Sequence, residues 1–304
     1  MFWYNYYGDD MRRYIILVFI CFSFYFCFKV KIDDFFQKNF FYNYIKYEGN
    51  DYYLDNDFNY FKENNSLIAY NKEDILNILY TFINKGCENF SFYCGSNYKD
   101  CRHDIDELMN DKSSILYIND FVHPYNSFHN ISAKIDWNKI TFRVFKNYSY
   151  SEIIKLDSII KKIINENIND SMSTREKVKV LHNYLIVNTE YDNDYANDIK
   201  NSIENDKNSY KATGALVNHL AVCSGYTDAL SIMLNYLKIK NVKVSNDNHV
   251  WNLIYVNNTW LHTDVTNDDL GSEVNNRYFL VNTDTIKFDG RHSFSNDVYS
   301  EFQR

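Results

Sequence analysis

The 304-residue chain contains one proline and eight glycines, where ordinary globular sequences carry roughly 5% and 7%. Collagen-like repeats, proline-rich segments and Gly/Ser linkers are therefore excluded. In a chain so poor in glycine, each one that does occur marks a place where the backbone needs it. Basic clusters are absent outside the extreme N-terminus, and the formal charge is −8. A nucleic-acid binder would present a basic face, so nucleic acid is not an expected partner. There is no internal repeat, no Cys-x-x-Cys pair and no loop with calcium-ligand spacing, so neither a metal nor a cofactor is expected. What remains is ordinary for a folded protein, with 45% hydrophobic and 24% charged residues. A chain of this length buries about three quarters of its unfolded surface. The 28 tyrosines and 23 phenylalanines fit a compositional bias and carry no functional signal by themselves.

Arg12-Arg13 precede the uncharged run Tyr14–Phe28, and Lys29 and Lys31 follow it. Fifteen residues make a helix of about 22 Å, at the border between a signal-peptide core and a membrane span. No small-x-small cleavage site follows, and the basic flanks can snorkel to lengthen the span. Residues 1–31 are accordingly expected to be an uncleaved signal anchor, a single pass with the bulk of the chain extracellular. Cleavage would make the protein secreted. Cys21 and Cys27 lie in the run, Cys87, Cys94 and Cys101 are clustered, and Cys223 stands alone. The polar loop from Cys94 to Cys101 can close as a disulfide in an oxidising compartment; free buried thiols are the equal alternative.

Residues 32–65 read as a stalk or irregular start. Beyond them, Ser66–Tyr70 and Asn89–Tyr93 have strand character, Asn71 is placed to cap a helix over Lys72–Lys85, and Arg102–Asn110 is a short amphipathic helix. The alternating segments Ile131–Trp137 and Lys139–Phe145 form a strand pair. A small α+β domain of unknown role is thus expected over 32–150. From 151 to 304 the signals are stronger. Glu152–Ile164 carries a helical apolar stripe, and Ser173-Thr-Arg-Glu176 is a capping-box pattern. The acidic, Asn-rich stretch Glu190–Asn208 reads as a surface loop. Cys223–Leu237 is a helix, and strands follow over Val242–Val244, His249–Val256 and Thr259–Val265, the last two joined by Asn257-Asn258.

Cys223 opens its helix. The N-terminal half-charge and free N–H groups of such a position favour a thiolate and can hold an oxyanion. Gly214 and Gly225 fall near it, and a missing side chain there would let a substrate backbone approach. Alone, Cys223 reads as an inert packed thiol. The hairpin alters that balance. A two-residue Asn257-Asn258 turn sets Trp251 opposite Asp264, and His249 shares their face because strand side chains alternate. His249 and Asp264 become diagonal neighbours within reach of a hydrogen bond. A carboxylate on one imidazole nitrogen fixes the tautomer and leaves the other for Cys223. His262 falls on the same face, as a spare base or a packing residue. Asp268 and Asp269 read as a solvated acidic turn, Trp251 and Trp260 as site wall or core. His182, His219 and His292 have no assignable partner.

The blocks Ala221-Val-Cys-Ser-Gly-Tyr-Thr-Asp-Ala-Leu, Asn248-His-Val-Trp-Asn-Leu and Trp260-Leu-His-Thr-Asp-Val-Thr-Asn-Asp-Asp resemble the transglutaminase-like superfamily in its bacterial form. Thr189-Glu-Tyr-Asp, Tyr210-Lys-Ala-Thr-Gly-Ala-Leu and Tyr278-Phe-Leu-Val resemble flanking core segments, so the likeness spans roughly 150–285. Asn267 stands where that pattern usually has Trp, and Ala221 where it often has Gly. The resemblance implies a papain-like α+β core in which Cys223 is the nucleophile, His249 the general base and acid, and Asp264 the orienting residue. The implied activity is that of a membrane-anchored thiol enzyme acting on peptide or protein amide bonds through an acyl-thioester. Hydrolysis, as a cysteine peptidase or amidase, is expected over cross-linking. A non-catalytic surface or adhesion module that retains the fold is the alternative.

Overall fold

The computed structural model describes residues 50–56, 58–201, 208–269, 271 and 274–302. The expected anchor over 1–31, and the expected stalk up to residue 49, lie outside the described residues. Among the described residues, no helix is long and apolar enough to cross a membrane. From residue 50 on, the expected stalk is packed chain: Phe61 is fully buried, stacked on Tyr80 and edge-on to Phe121.

The architecture is α+β. The first sheet has the order β1-β2-β4-β3, with β1 at Ile68–Ala69, β2 at Asn89–Cys94, β3 at Phe128–Asp136 and β4 at Lys139–Lys146. β1 and β2 are parallel and are joined through the helix Lys72–Asn84, whose N-cap Asn71 accepts from the Asp74 N–H at 2.8 Å. β2–β4 and β4–β3 are antiparallel. A disulfide joins Cys94, at the end of β2, to Cys101, at the start of the helix Cys101–Asn110. Cys87 and Cys223 are free.

Two helices with complete capping boxes follow, Tyr150–Asn167 on Ser149/Glu152 and Thr174–Asn188 on Ser173/Glu176. Each box satisfies two N–H groups that the first turn would otherwise leave open. The stretch expected to be a loop after Glu190 contains a short strand and a helix. Glu190–Tyr191 (β5) pairs in parallel with Leu220–Ala221 (β6), and Asn193–Lys200 is helical. Asp192 makes the difference. Its side chain caps that helix through the Tyr195 N–H at 2.9 Å and accepts from Ser209 Oγ at 2.6 Å. Asp and Asn read as loop formers by composition, yet at an N-cap they start helices.

The helix Cys223–Tyr236 packs against a three-stranded antiparallel sheet of β7 (Asn241–Ser245), β8 (Val250–Val256) and β9 (Thr259–Thr263). Alternation along β7 and β8 gives this sheet two buried faces. Val242, Val244, Trp251 and Leu253 join the apolar cluster built around the first sheet. Ile254 and Val256 face the other way, into the cluster of Tyr226, Leu230 and Met233 from the Cys223 helix. The apolar core around the first sheet therefore takes residues from both sides of position 150.

Candidate active site

The β8–β9 hairpin sets the site. Asn257 and Asn258 both have positive φ, 52° and 63°, as a two-residue type I′ turn requires, and Asn tolerates that region better than other non-glycine residues. The turn fixes Val256 opposite Thr259 and Tyr255 opposite Trp260, in register through to Asn252 opposite Thr263. One step further along this register, the chain leaves β9 at Asp264, which caps the helical turn Val265–Asp268 by accepting from the Asn267 N–H at 3.1 Å. His249 immediately precedes β8, and its Nε2 lies 2.7 Å from Asp264 Oδ2.

The Cys223 thiol lies close enough to the same imidazole to raise its proton affinity. With Nε2 committed to Asp264, Nδ1 is the ring nitrogen left for sulfur. Cys223 is partly exposed at the first position of its helix. Val222 precedes it in extended conformation, and no side chain caps this end. The sequence-predicted Cys223, His249 and Asp264 are thus brought together, two of them by one hairpin and the third by a helix packed on that hairpin's sheet.

Burial by itself would push the His249 imidazole down, but the hydrogen bonds and charges of Asp264 and Cys223 outweigh it and push the group up to about 10. Burial likewise opposes charge on Asp264, only 1% exposed. Donors from His249, His292 and Asn267 outweigh it and hold the carboxyl well below the usual carboxylate range. Asn267 Nδ2 donates to Asp264 Oδ2 at 2.5 Å and lies 3.1 Å from His249 Nε2. Trp251 is fully buried and stacks on His249, with ring centroids 5.7 Å apart. Trp260 packs instead against Phe302 and Tyr255. His262 is a packing residue: it is fully buried, accepts from Trp251 Nε1 at 3.0 Å, and is pushed down to about 3 by burial and by the charges of His292 and Lys287.

Three expectations change. Asp268 is not a solvated turn carboxylate: it is fully buried, 3.1 Å from His182 Nε2, and it accepts from the Tyr278 N–H. Asp269 accepts from Tyr226 Oη at 2.6 Å. The acidic composition of this turn reads as solvent-exposed, but the chain folds back over it through Tyr278. Gly225 does not serve substrate approach. A Cβ there would sit 2.4 Å from the Ser209 carbonyl oxygen, so the protein's own backbone occupies the space. At Gly214 the carbonyls of Asn208 and Leu220 play the same part, each 2.6 Å from a Cβ.

His292 and Tyr191 are additional residues of the site. His292 Nε2 lies 2.8 Å from Asp264 Oδ2. Burial and the charge at Cys223 push the Tyr191 phenol up, which keeps it protonated beside the thiol. A cleft of about 1160 Å³ opens here, walled by His249, Asn267, Tyr191, Glu190, Asp269 and Arg291. It is large enough for a segment of polypeptide. Among the described residues, His249, Asp264 and His292 bring three potential metal ligands together, as do the more exposed His103, Asp104 and Glu107. In the first group the N···O separations of 2.7 and 2.8 Å are those of N–H···O hydrogen bonds.

No protein-family model matches the chain, and no curated protein matches it. Among solved structures, the chain is similar to that of a TGase, at 20% identity and a TM-score of 0.37 over 48% of this chain and 46% of that one. It is also similar to a "putative cysteine protease" from Cytophaga hutchinsonii, at 13% identity and a TM-score of 0.28 over 45% of this chain and 61% of that one. The chain thus covers about half of the first structure's length and less than two thirds of the second's.

Proposed function

We propose that the protein is a transglutaminase-like thiol enzyme that cleaves amide bonds of peptides or proteins. The observation that carries this reading is one imidazole held between a buried carboxylate at 2.7 Å and a cysteine at a helix start. The three groups divide the chemistry. The Cys223 thiolate attacks the amide carbonyl carbon, and a C–S bond forms. The developing oxyanion is met by the N–H of Cys223 at the uncapped helix end. His249, protonated on Nδ1, passes that proton to the amine as the C–N bond breaks. The neutral imidazole then takes a proton from water, whose oxygen attacks the thioester and releases the carboxylic acid and the Cys223 thiolate. Asp264 stays ionised throughout and stabilises the imidazolium form, which its depressed proton affinity allows. Water is taken as the acceptor because it is the default nucleophile for an acyl-thioester. The Cys94–Cys101 disulfide supports an oxidising, extracytoplasmic location, in keeping with an anchor at residues 14–28.

The test is alkylation of the full-length chain with iodoacetamide at pH 6–7, with labelled cysteines mapped by mass. Cys223 is expected to label first and to lose that preference in His249→Ala. Cys87, whose thiol burial pushes up, is the internal control. A Cys223 no faster in the folded chain than in the denatured one refutes the reading. Product analysis with and without a primary amine then separates hydrolysis from transfer.

A further inference from the structure

We propose that His292 is a positioning residue of this site: it bonds the same Asp264 oxygen as His249 and is itself held in register by Asp289. This rests on the thiol-enzyme reading above. His292 is fully buried. Its Nε2 lies 2.8 Å from Asp264 Oδ2 and its Nδ1 3.0 Å from Asp289 Oδ1. With a carboxylate oxygen against each nitrogen, the ring donates on both sides, since neither oxygen can donate while ionised. Asp289 is anchored in turn by Tyr278 Oη at 2.7 Å and by the Arg291 N–H at 2.9 Å. The ring is also fixed in plane and position, against Trp251 at 5.0 Å and Tyr278 at 4.9 Å between centroids.

The consequence concerns Asp264 Oδ2. That one oxygen receives His249, His292 and Asn267. A carboxylate bonded by His249 alone could rotate about its terminal torsion, which is broad for Asp, and carry the catalytic ring with it. The donor from His292 closes that freedom on one side, and the Asn267 N–H at Oδ1 closes it on the other. The charged and titratable groups facing His292 are Asp264 and Asp289 by direct contact, Tyr278 and His249 by ring contact, and Arg291 through Asp289; His262 lies behind Trp251. Removing His292 takes a donor from Asp264 and raises the carboxyl's proton affinity. The acid limb of Cys223 reactivity should then move to higher pH. Loss of one buried hydrogen bond to a charged group corresponds to about a tenfold change.

The experiment compares the pH dependence of iodoacetamide labelling at Cys223 in the full-length chain for wild type, His292→Leu and His292→Gln. Leu fills the space without a donor, whereas the Gln amide can still donate to Asp264. His292→Leu is expected to slow labelling at pH 7 about tenfold and to raise the acid limb. His292→Gln is expected to restore most of both, and Cys87 labelling should be unchanged in all three. Equal profiles for the two variants, or a uniform loss with an unmoved limb, would mean that the ring only fills space, and either overturns the proposal. If Cys87 protection shows that His292→Leu does not fold, Asp289→Asn carries the test, with a smaller shift of the same sign expected and a wild-type profile overturning it. Slow labelling of wild-type Cys223 would instead refute the thiol-enzyme reading itself.

Discussion

Asp264→Asn isolates the charge of the orienting carboxylate while keeping its shape. In the native site, Asp264 and Cys223 together hold His249 at about 10 against an ordinary value of 6.5. At 1.36 kcal/mol per unit, that difference corresponds to a net stabilisation of the imidazolium on the order of 5 kcal/mol, after the opposing effect of burial. The substituted amide has one acceptor oxygen, and three donors converge on the position of Oδ2: His249 Nε2, His292 Nε2 and Asn267 Nδ2. The amide NH₂ must then face either a donor or the Asn267 N–H, so one polar contact is lost as well as the charge. Loss of the orienting carboxylate in a comparable triad reduces turnover on the order of ten-thousandfold. A thiol is intrinsically more nucleophilic than a hydroxyl, so a reduction on the order of a hundredfold to a thousandfold is expected here. The assay is the second-order rate of Cys223 alkylation from pH 4 to 10, with the urea midpoint measured alongside to confirm the fold. The fall should be largest near neutrality, where the native His249 is imidazolium. An Asp264→Asn rate within twofold of wild type across that range would refute the role given to Asp264, and with it the geometric account of the triad.

Stability should depend on pH in two windows. His249 is raised on folding, so its contribution is complete below about 6.5 and is lost as pH rises through about 10; urea midpoints should fall across that interval, and less steeply in His249→Gln. Asp264 is depressed on folding, so its contribution is present above an unfolded value of about 3.9 and is lost as pH falls below it; Asp264→Asn should flatten the acid side of the same curve. Gly225→Ala places a Cβ 2.4 Å from the Ser209 carbonyl, which also accepts the Val222 N–H; overpacking of about 1–3 kcal/mol should appear in the urea midpoint, with slower Cys223 alkylation because the strand–helix joint moves. A Gly225→Ala variant as stable and as reactive as wild type would contradict that packing. Replacing Cys94 and Cys101 by serine opens a short loop, and about 2 kcal/mol should be lost, with Cys223 reactivity at pH 7 unchanged because the bridge belongs to the first sheet.

The parts of the site that were legible in the sequence are those set by short-range rules. Asn257-Asn258 specifies a two-residue turn, the turn specifies register, and register places Asp264 beside His249 without any tertiary information. The capping box at Ser173 is equally local, because it is closed within four residues. Cys223 is legible because a helix start has a fixed electrostatic character wherever it lies in the fold. Gly225 does mark a close approach, but what approaches is the Ser209 carbonyl, sixteen residues away in sequence, and not a substrate. Glycine spacing identifies a lack of room without identifying what fills it.

His292 shows where such reasoning stops. It lies 28 residues from Asp264, outside any helix or strand, and neither a period of 3.6 nor one of 2 projects it onto a face. Asp268 fails in the opposite sense. It sits in a strongly acidic segment whose local signal is exposure, and it is fully buried because Tyr278 and His182 arrive from elsewhere to satisfy it. Both cases turn on the same physical fact. A buried carboxylate is tolerated only with donors supplied to it, and the donors to Asp264 and Asp268 come from several separate segments. Two of the four buried histidines, His182 and His292, are spent on this duty. Of the three histidines without a sequence partner, His182 and His292 meet buried acids, whereas His219 meets the Asn188 carbonyl oxygen, so the buried acid is the informative half of each pair.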